Sequence, residues 1–271
     1  MILVIDVGNS HMLLGLFSMK GKAELLYHWK LSTDPARTAD EYAIQIRNLF
    51  RFAQIDHGAV TGMVISSVVP PLMPTLERMC ESYFQIKPLI IGPGISTGMT
   101  IGMENPNEIG ADRIVNAVAA YEQYGGPLIV VDFGTAMTFC AISAEGEYLG
   151  GAIAPGLMVA TEALFARASK LPRIELTKPP MVIGKSTIQG MQSGILYGFA
   201  GQIDGIVSEM KKELGEKSRV IATGESAELI APETEHIDIV DPLLTLQGLR
   251  IIYQRTLEDK EEGKNFCTNK H

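Results

Sequence analysis

Short apolar runs alternate with amphipathic stretches along this chain, and that alternation predicts an α/β fold. The apolar run at 2–7 predicts a buried first strand, and strand-like runs at 12–17 and 25–31 follow it after short turns. Apolar residues spaced three and four apart then predict a helix at 39–54. The other elements predicted for the first half are strands at 62–69 and 88–91, helices at 75–84 and 111–124, and a glycine-rich loop at 92–102.

The second half of the chain repeats the opening pattern. The first run ends in Asp6-Val7-Gly8-Asn9-Ser10, and an equally apolar run ends in Asp132-Phe133-Gly134-Thr135. Each copy continues into a second run, a glycine turn and a third run, which predicts the same succession of strands twice. The elements predicted for the rest of the second half are strands at 137–142, 148–153 and 220–223 and helices at 157–168, 187–214 and 243–257. Two copies at this spacing predict duplicated α/β domains rather than a solenoid.

The repeated Asp-x-Gly turn carries a chemical hint. A single copy is more simply explained as a turn that ends in a flexible glycine, but duplication favours a phosphate site. Glycine lets backbone N–H groups approach a phosphate closely, and Asn9, Ser10 and Thr135 add short polar donors. Two aspartates facing a polyphosphate would repel it, so they imply cations between them and the phosphates. A cleft between two such hairpins would hold ATP from both sides.

Composition narrows the range of partners. The chain of 271 residues has 23 Lys and Arg against 31 Asp and Glu, a net charge of −8, with no basic run. This balance argues against binding to nucleic acid or to an anionic membrane surface. Three cysteines without a C-x-x-C pair indicate neither a disulfide framework nor a thiolate zinc site, and they suit a reducing cytoplasm. The uncharged stretches at 58–76 and 186–203 are interrupted by proline, glutamine and glycine, so neither predicts a membrane span.

A carboxylic acid, Asp112, and a cationic side chain, Arg113, are adjacent at the start of the predicted helix at 111–124. In the simpler interpretation, Asp112 is only a helix N-cap and Arg113 is a solvated residue of the first turn. In the functional interpretation, a kinase uses such a pair to deprotonate a substrate hydroxyl and to bind a substrate carboxylate. The residues of this segment alone leave both interpretations open.

Six segments together resemble the type III pantothenate kinases, which belong to the acetate and sugar kinase, Hsp70 and actin superfamily. They are Asp6 to Ser10, Asn105 to Arg113, Asp132 to Thr135, Gly150 to Gly156, Gly184 to Thr187 and Ile237 to Leu243. The resemblance extends from residue 1 to about residue 253, and the six segments occur in the family's order.

The resemblance implies a fold and an activity. The fold would be two duplicated ribonuclease-H-like, actin-like ATPase domains of α/β class with a nucleotide cleft between them. We predict the first domain at 1–115, the second at 116–257 and a frayed tail at 258–271. The activity would be ATP-dependent phosphorylation of pantothenate to 4'-phosphopantothenate, the first step of coenzyme A biosynthesis.

The resemblance also implies roles for individual residues. Asp112 matches the catalytic base, Asp6 lies near magnesium, and Asp132 matches the ligand of a monovalent cation, potassium or ammonium. The residues implied to contact pantothenate are Gly110, Ala111, Asp112, Arg113 and Thr187. The residues implied to contact ATP are Asp6, Val7, Gly8, Asn9, Ser10, His11, Met12, Leu13, Gly134 and Thr135.

The resemblance also implies an obligate homodimer, and one feature of the chain would suit a dimer interface. Gly190, Gly194, Gly198 and Gly201 lie on one face of the predicted helix at 187–214, which we expect at or beside the dimer interface. The alternative is packing within one subunit.

The chain departs from the family pattern at two positions. Met103 stands where members often have a substrate-facing tyrosine, and Glu225 stands where the adenosine turn usually has a second glycine. Two other functions are open alternatives: a non-catalytic regulator of the Bvg accessory factor type, and a superfamily kinase for another small hydroxy substrate. The presence of Asp6, Asp112 and Asp132 argues against the regulator.

Overall fold

The computed structural model describes residues 1–21, 23–92, 95 and 97–261, and the predicted strands and helices are found there largely where expected. The strands are β1 Ile2–Val7, β2 His11–Ser18, β3 Glu24–Ser32, β4 Gly62–Ser67, β5 Leu89–Ile90, β6 Thr100–Ile101, β7 Leu128–Phe133, β8 Ala136–Ile142, β9 Glu147–Pro155, β10 Arg219–Gly224 and β11 Ile239–Val240. The α-helices are α1 Ala39–Phe52, α2 Met73–Met79, α3 Ala111–Tyr124, α4 Leu157–Arg167, α5 Thr187–Leu214, α6 Ala227–Ile230 and α7 Leu244–Glu261.

The first sheet has the strand order β3-β2-β1-β4-β5. β1 pairs antiparallel with β2 and parallel with β4, so the strand that ends in Asp6 and Val7 lies at the centre. Its side chains alternate between two faces. Leu3, Ile5 and Val7 pack in a buried cluster that includes residues of α1 and α2, and Asp6 therefore lies on the opposite face.

The second sheet has the order β11-β10-β7-β8-β9-β6. β7 pairs antiparallel with β8 and parallel with β10, which is the arrangement that β1 has with β2 and β4. Ile129, Val131 and Phe133 pack in a buried cluster with residues of α5 and α6. The duplication predicted from sequence is therefore present as two equivalent sheets, and the predicted α/β class is confirmed.

The chain divides into two compact units that are not continuous in sequence. The first comprises Met1–Gly98, Asn107–Ala119 and the chain from Thr245 onward, and the second comprises Met99–Pro106 and Ala120–Leu244. The domains predicted from sequence were continuous, at 1–115 and 116–257. Helix α7 is the largest difference, because it belongs with the first unit although it follows the second in the chain.

Several short elements differ from the predictions. The predicted loop at 92–102 contains β6, whose two residues pair with β9, and residues 93, 94 and 96 of that loop lie outside the described residues. The predicted helix at 75–84 is α2 followed by a π-helical turn at Cys80–Phe84. α7 continues through Glu261, so the tail predicted at 258–271 begins as helix, and residues 262–271 lie outside the described part of the chain. None of the described helices combines the length and apolar character needed to cross a membrane.

Candidate active site

The turn between β1 and β2 exposes two polar side chains on a fixed backbone. The backbone N–H of Gly8 donates to the carbonyl of His11 at 3.0 Å. Thr33 of the region after β3 holds the same turn from outside, since its hydroxyl donates to the Gly8 carbonyl at 2.7 Å and its N–H donates to the Ser10 carbonyl at 3.0 Å. Asn9 and Ser10 are exposed, while Val7 and Met12 are buried and anchor the two strands. The hairpin thus presents polar donors without depending on them for its own structure.

Asp6 lies just before this turn and has an unusual electrostatic environment. It is opposite Leu13 on β2 and opposite Ser66 on β4. Burial, and next the nearby carboxylate of Asp112, raise the pKa of Asp6 to about 7. The hydroxyl of Ser66 acts in the opposite direction and lowers this pKa. Ser66 is fully buried, and its Oγ reaches no partner at full hydrogen-bond geometry among the described residues.

Asp112 is the second residue of α3 and so lies inside the first helical turn rather than at the N-cap. Its Oδ1 accepts the backbone N–H of Arg113 at 2.9 Å. Burial raises the pKa of Asp112, whereas the Arg113 backbone N–H and guanidinium lower it. Gly110 leaves room for this carboxyl, because a Cβ at Gly110 would collide with Asp112 Oδ1. Asp112 therefore stabilises the helix start and also lies close to the carboxyl of Asp6.

Arg113 contradicts the simpler interpretation of this segment. Arg113 is only 9% exposed, so its side chain is not solvated as the simpler interpretation expects. Burying a guanidinium costs free energy unless polar partners surround it. The first unit therefore holds the predicted groups Asp6 to Leu13 and Gly110 to Arg113, with Asp6 and Asp112 near each other.

The second hairpin places Asp132 at the position that corresponds to Asp6. Asp132 is opposite Thr138 on β8 and opposite Thr223 on β10. At the end of β10, a Cβ on Gly224 would lie 2.9 Å from Asp132 Oδ1, so the glycine permits the carboxyl to approach the backbone. Gly134 and Thr135 are exposed in the turn. Glu225, one of the two departures from the family pattern, follows Gly224 and is exposed.

Gly156 brings the start of α4 against the same turn. Its N–H donates to the Thr135 carbonyl at 3.1 Å, and a Cβ here would collide with the carbonyl oxygens of Gly134 and Thr135. Gly156 is the N-cap of α4, so the first turn of that helix begins beside the exposed Gly134 and Thr135. Backbone N–H groups of a helix start suit an anionic ligand.

Thr187 is the first residue of α5, in the second unit. Ser186 caps this helix by accepting the Gln189 N–H at 3.3 Å, and Thr187 is exposed. It lines a cavity of about 680 Å³ between α4 and α5. The cavity's other lining residues include Gly190, Gly194, Gly198, Leu164 and Phe199. Met103, the second position at which the chain departs from the family pattern, also lies in the second unit. Its Cγ would be 3.9 Å from a Cβ on Gly150.

The carboxylates suit a cation that is held mainly by other ligands. Within the described part of the chain, no three His, Cys, Asp or Glu side chains are close enough to bind a metal ion by themselves. Magnesium in phosphoryl-transfer sites keeps water and substrate phosphates as ligands and needs only one or two carboxylates. Asp6, with Asp112 nearby, fits this requirement.

Sequence reasoning missed the hydroxyl residues beside the two aspartates. Ser66 and Thr223 occupy equivalent register positions, and both are buried. Each is near the carboxyl end of a predicted strand, but only the strand order shows that these strands lie next to β1 and β7.

Comparisons with known proteins identify the family. Residues 2–209 match the family described as type III pantothenate kinase. A curated type III pantothenate kinase from Bacillus cytotoxicus is 55% identical over 255 residues, which are 94% of this chain and 96% of that protein.

Solved structures show the fold. The activator of 2-hydroxyisocaproyl-CoA dehydratase from Clostridium difficile, solved with ADPNP, covers 100% of this chain and 99% of its own at a TM-score of 0.53 and 12% identity. A protein from Campylobacter jejuni described as a Baf family transcriptional activator covers 94% of this chain and 99% of its own at a TM-score of 0.56 and 19% identity. At these identities the likeness concerns the fold alone, which is that of the actin-like ATPases and sugar kinases.

The family match favours neither alternative function, the regulator or a kinase for another substrate. The sequence identity and its coverage of both chains extend across both predicted phosphate hairpins and the Asp112 segment. The chain therefore belongs to the type III pantothenate kinase family and is a phosphotransferase that acts on pantothenate.

Proposed function

We propose that Asp112 is the general base of this phosphotransferase and that Arg113 binds the carboxylate of pantothenate. The primary hydroxyl of pantothenate gives its proton to Asp112, and its oxygen bonds to the γ-phosphorus of ATP. The bond from that phosphorus to the bridging oxygen breaks, ADP leaves and 4'-phosphopantothenate forms. The raised pKa of Asp112 supports this role, because a base with a pKa closer to neutrality is a better proton acceptor.

The observation that carries the proposal is the proximity of the Asp6 and Asp112 carboxyls in the first unit. Two partly buried carboxylates repel each other, and a cation or a proton relieves the repulsion. In a kinase, Asp6 would hold magnesium near the phosphates and Asp112 would face the acceptor hydroxyl. Bound magnesium neutralises the phosphate charge that develops during transfer.

The two hairpins would contact ATP through their turns. Asp6 to Leu13 offers the exposed Asn9 and Ser10, and the second turn offers Gly134 and Thr135. Asp132, at the equivalent position of the second hairpin, would hold potassium or ammonium, the role that the resemblance to the family implies for it. Thr187 would contact pantothenate from the start of α5.

Substitution of the acid and of its neighbour separates their roles. Asp112→Asn keeps the shape of the side chain but cannot accept a proton, so kcat is expected to fall about 10²- to 10⁴-fold with ATP binding retained. Arg113→Ala removes a charge-assisted contact, so the KM for pantothenate is expected to rise about 10- to 100-fold while the KM for ATP is unchanged. Steady-state ADP release with each substrate varied, beside a melting curve, measures both. Near-normal kcat in Asp112→Asn with a lowered Tm would leave Asp112 as a helix-start residue only.

We also propose a homodimer that uses the glycine face of α5, whose predicted members are Gly190, Gly194, Gly198 and Gly201. A Cβ at any of these positions meets nothing within 4 Å, so the face is open in a single chain. Ile188 on the same helix and Met158 on α4 are exposed apolar residues. Small residues on an open helix face permit close approach of a second helix.

The dimer is tested by filling this face. Gly194→Leu is accommodated by the single chain, because the glycine borders open space, but it obstructs a partner helix. We expect light scattering at assay concentration to give a dimer for the wild type and a monomer for Gly194→Leu, with circular dichroism unchanged. A wild-type monomer, or an intact Gly194→Leu dimer, would contradict the proposal. We also propose a cytoplasmic location, with which the buried cysteines Cys80 and Cys140 agree, since they form no disulfide within the described part of the chain.

A further inference from the structure

Helix α7 packs on the face of the first sheet that carries Asp6. Leu246 approaches β2 at Gly15, where a Cβ would lie 3.2 Å from Leu246 Cδ1. Tyr253 approaches β4 at Gly62, where a Cβ would collide with the phenol oxygen. Gly15 and Gly62 thus lie beneath α7, and the apolar residues Leu246, Leu249 and Ile252 of this helix are buried. α7 is therefore fixed to the strands on both sides of β1.

The same helix also meets α3 at two points. The hydroxyl of Thr245 donates to Asn116 Oδ1 at 2.7 Å, and both residues are buried, at 8% and 1% exposure. One turn further, Gly248 lies so close to α3 that a Cβ would overlap the Val115 carbonyl oxygen and approach Val115 Cγ1 at 2.7 Å. Only a glycine fits there without movement of one helix.

These contacts lie one helical turn from Asp112. Val115 and Asn116 follow Asp112 by three and four residues, so they are on neighbouring positions of the same side of α3. The hydrogen bonds of a helix make its turns move together, and a shift at Asn116 is carried to Asp112. The described contacts therefore form a continuous path from the sheet that carries Asp6, through α7, to Asp112.

We infer that Thr245 and Gly248 are positioning residues for phosphoryl transfer, which hold α3 so that Asp112 faces the reacting atoms beside Asp6. The inference rests on the proposed role of Asp112 as the base. Neither residue touches substrate in this proposal; both act through α3. Misplacement of a catalytic group by about 1 Å can lower a rate by about 10²-fold, so a contact of this kind has a measurable effect on kcat.

The chain offers a matched control for Thr245. Thr256 is also a buried threonine of α7, at 3% exposure, but its hydroxyl donates at 2.8 Å to the Ile252 carbonyl of its own helix and not to α3. Thr245→Val and Thr256→Val therefore make the same chemical change, the loss of one threonine hydroxyl, at two positions of the same helix. Only the first removes a contact with the element that carries Asp112.

Steady-state kinetics of the full chain tests the inference, at a temperature well below the melting points of the wild type and of every variant. Thr245→Val is expected to lower kcat on the order of tenfold with the KM for ATP unchanged, and Thr245→Ser to restore it. Thr256→Val is expected to keep wild-type kcat whatever its Tm. Gly248→Ala should lower kcat at least as far as Thr245→Val, because the methyl displaces backbone rather than removing one bond.

A double substitution shows whether the effect passes through Asp112. In an Asp112→Asn background, Thr245→Val is expected to cause no further loss of kcat, because the group that it misplaces no longer accepts the proton. Equal losses in both backgrounds, or equal kcat values for Thr245→Val and Thr256→Val, would overturn the inference. Near-normal kcat in Asp112→Asn alone would instead overturn the proposed base, so the two failures are distinguishable.

Discussion

The two units place an aspartate in the same strand arrangement and then surround it differently. Asp6 and Asp132 each lie near the end of a central strand, between an antiparallel neighbour and a parallel one. A buried hydroxyl residue is opposite each on the parallel neighbour. In the first unit α3 adds a second carboxyl beside Asp6, whereas in the second unit the backbone at Gly224 approaches Asp132.

The comparison separates what the duplicated scaffold provides from what each copy does with it. Strand order and register fix the position of the aspartate, and they are shared. The environment of the carboxyl is set by different elements in the two copies, α3 in the first and the end of β10 in the second. A pair of acids suits a divalent cation, whereas the resemblance to the family implies a monovalent cation at Asp132. We therefore expect the two aspartates to respond differently to substitution.

The largest difference is expected in the cation dependence of activity. Asp6→Asn should lower kcat about 10²- to 10³-fold at every monovalent salt, because a charge that stabilises the transition state is lost. Asp132→Asn should instead remove the response to potassium. Wild-type activity should be low in sodium-only buffer and restored by potassium or ammonium.

ADP release at fixed magnesium, in sodium and then in potassium, measures this difference for all three proteins. Circular dichroism of each variant controls for folding. Full wild-type activity in sodium would remove the cation role from Asp132, and similar salt responses of the two variants would contradict the division between the units.

A second, smaller effect is expected in the stability of the ligand-free protein. The pKa of Asp6 is about 7 in the folded chain against an ordinary value of 3.8, so between these values the folded state binds the extra proton. Stability contributed by this group is thus lost as pH rises from about 4 to 7, and stays lost above it. Asp6→Asn should therefore leave stability nearly unchanged at pH 4 and raise it by on the order of a few kcal/mol at pH 8.

Denaturant unfolding at several pH values without magnesium or nucleotide measures this dependence. Asp112→Asn is a useful second variant, because removal of the neighbouring carboxylate lowers the pKa of Asp6 and should weaken the pH dependence. A stabilisation by Asp6→Asn that is equal at pH 4 and pH 8 would show that the acid pair does not distinguish the first unit.

The smallest effect is expected from the two buried hydroxyls. Ser66→Ala removes a group that lowers the pKa of Asp6, so the acidic limb of the kcat/KM profile, which reports the free enzyme, should move to higher pH by less than about one unit. The hydroxyl reaches no partner at full geometry among the described residues, so little stability should be lost. Thr223→Val, its counterpart in the second unit, should leave the profile in place. A shift of the same size in both variants would contradict a local effect on Asp6.

Local pattern predicted much of the fold. The observed bounds of α3 and α5 are those predicted, because apolar spacing marks both helices within their own sequence and Ser186 also caps α5. β6 and β11 have two residues each and were not predicted, since neither lies in a continuous apolar run such as the one at 88–91 that indicated β5. The place of α7 on the first unit was not predicted either. It depends on contacts between residues more than a hundred positions apart, such as Thr245 with Asn116, and no local signal reports them.

The candidate site shows the same division between features that local sequence marks and features that depend on distant contacts. Asp6, Asp112 and Asp132 stood out in the sequence because motif and repetition are local features. The neighbourhood of Asp6 and Asp112 depends instead on how α3 lies against the sheet. Ser66 was missed because its relation to Asp6 exists only through the register of β1 and β4. The burial of Arg113 was likewise a tertiary effect that its position in a first helical turn did not indicate.

The placement of α7 has a consequence for synthesis on the ribosome. The strands β1, β2 and β4 emerge early, but the helix that covers one of their faces emerges only after the second unit has been made. At about 5 to 20 residues per second, the interval between α3 and α7 is on the order of ten seconds. During that time the nascent first sheet exposes an apolar face, and α3 lacks its contacts with α7. Completion of the first-made sheet thus waits for nearly the last described residues, and a chain released early would lack both the cover and the aligned Asp112.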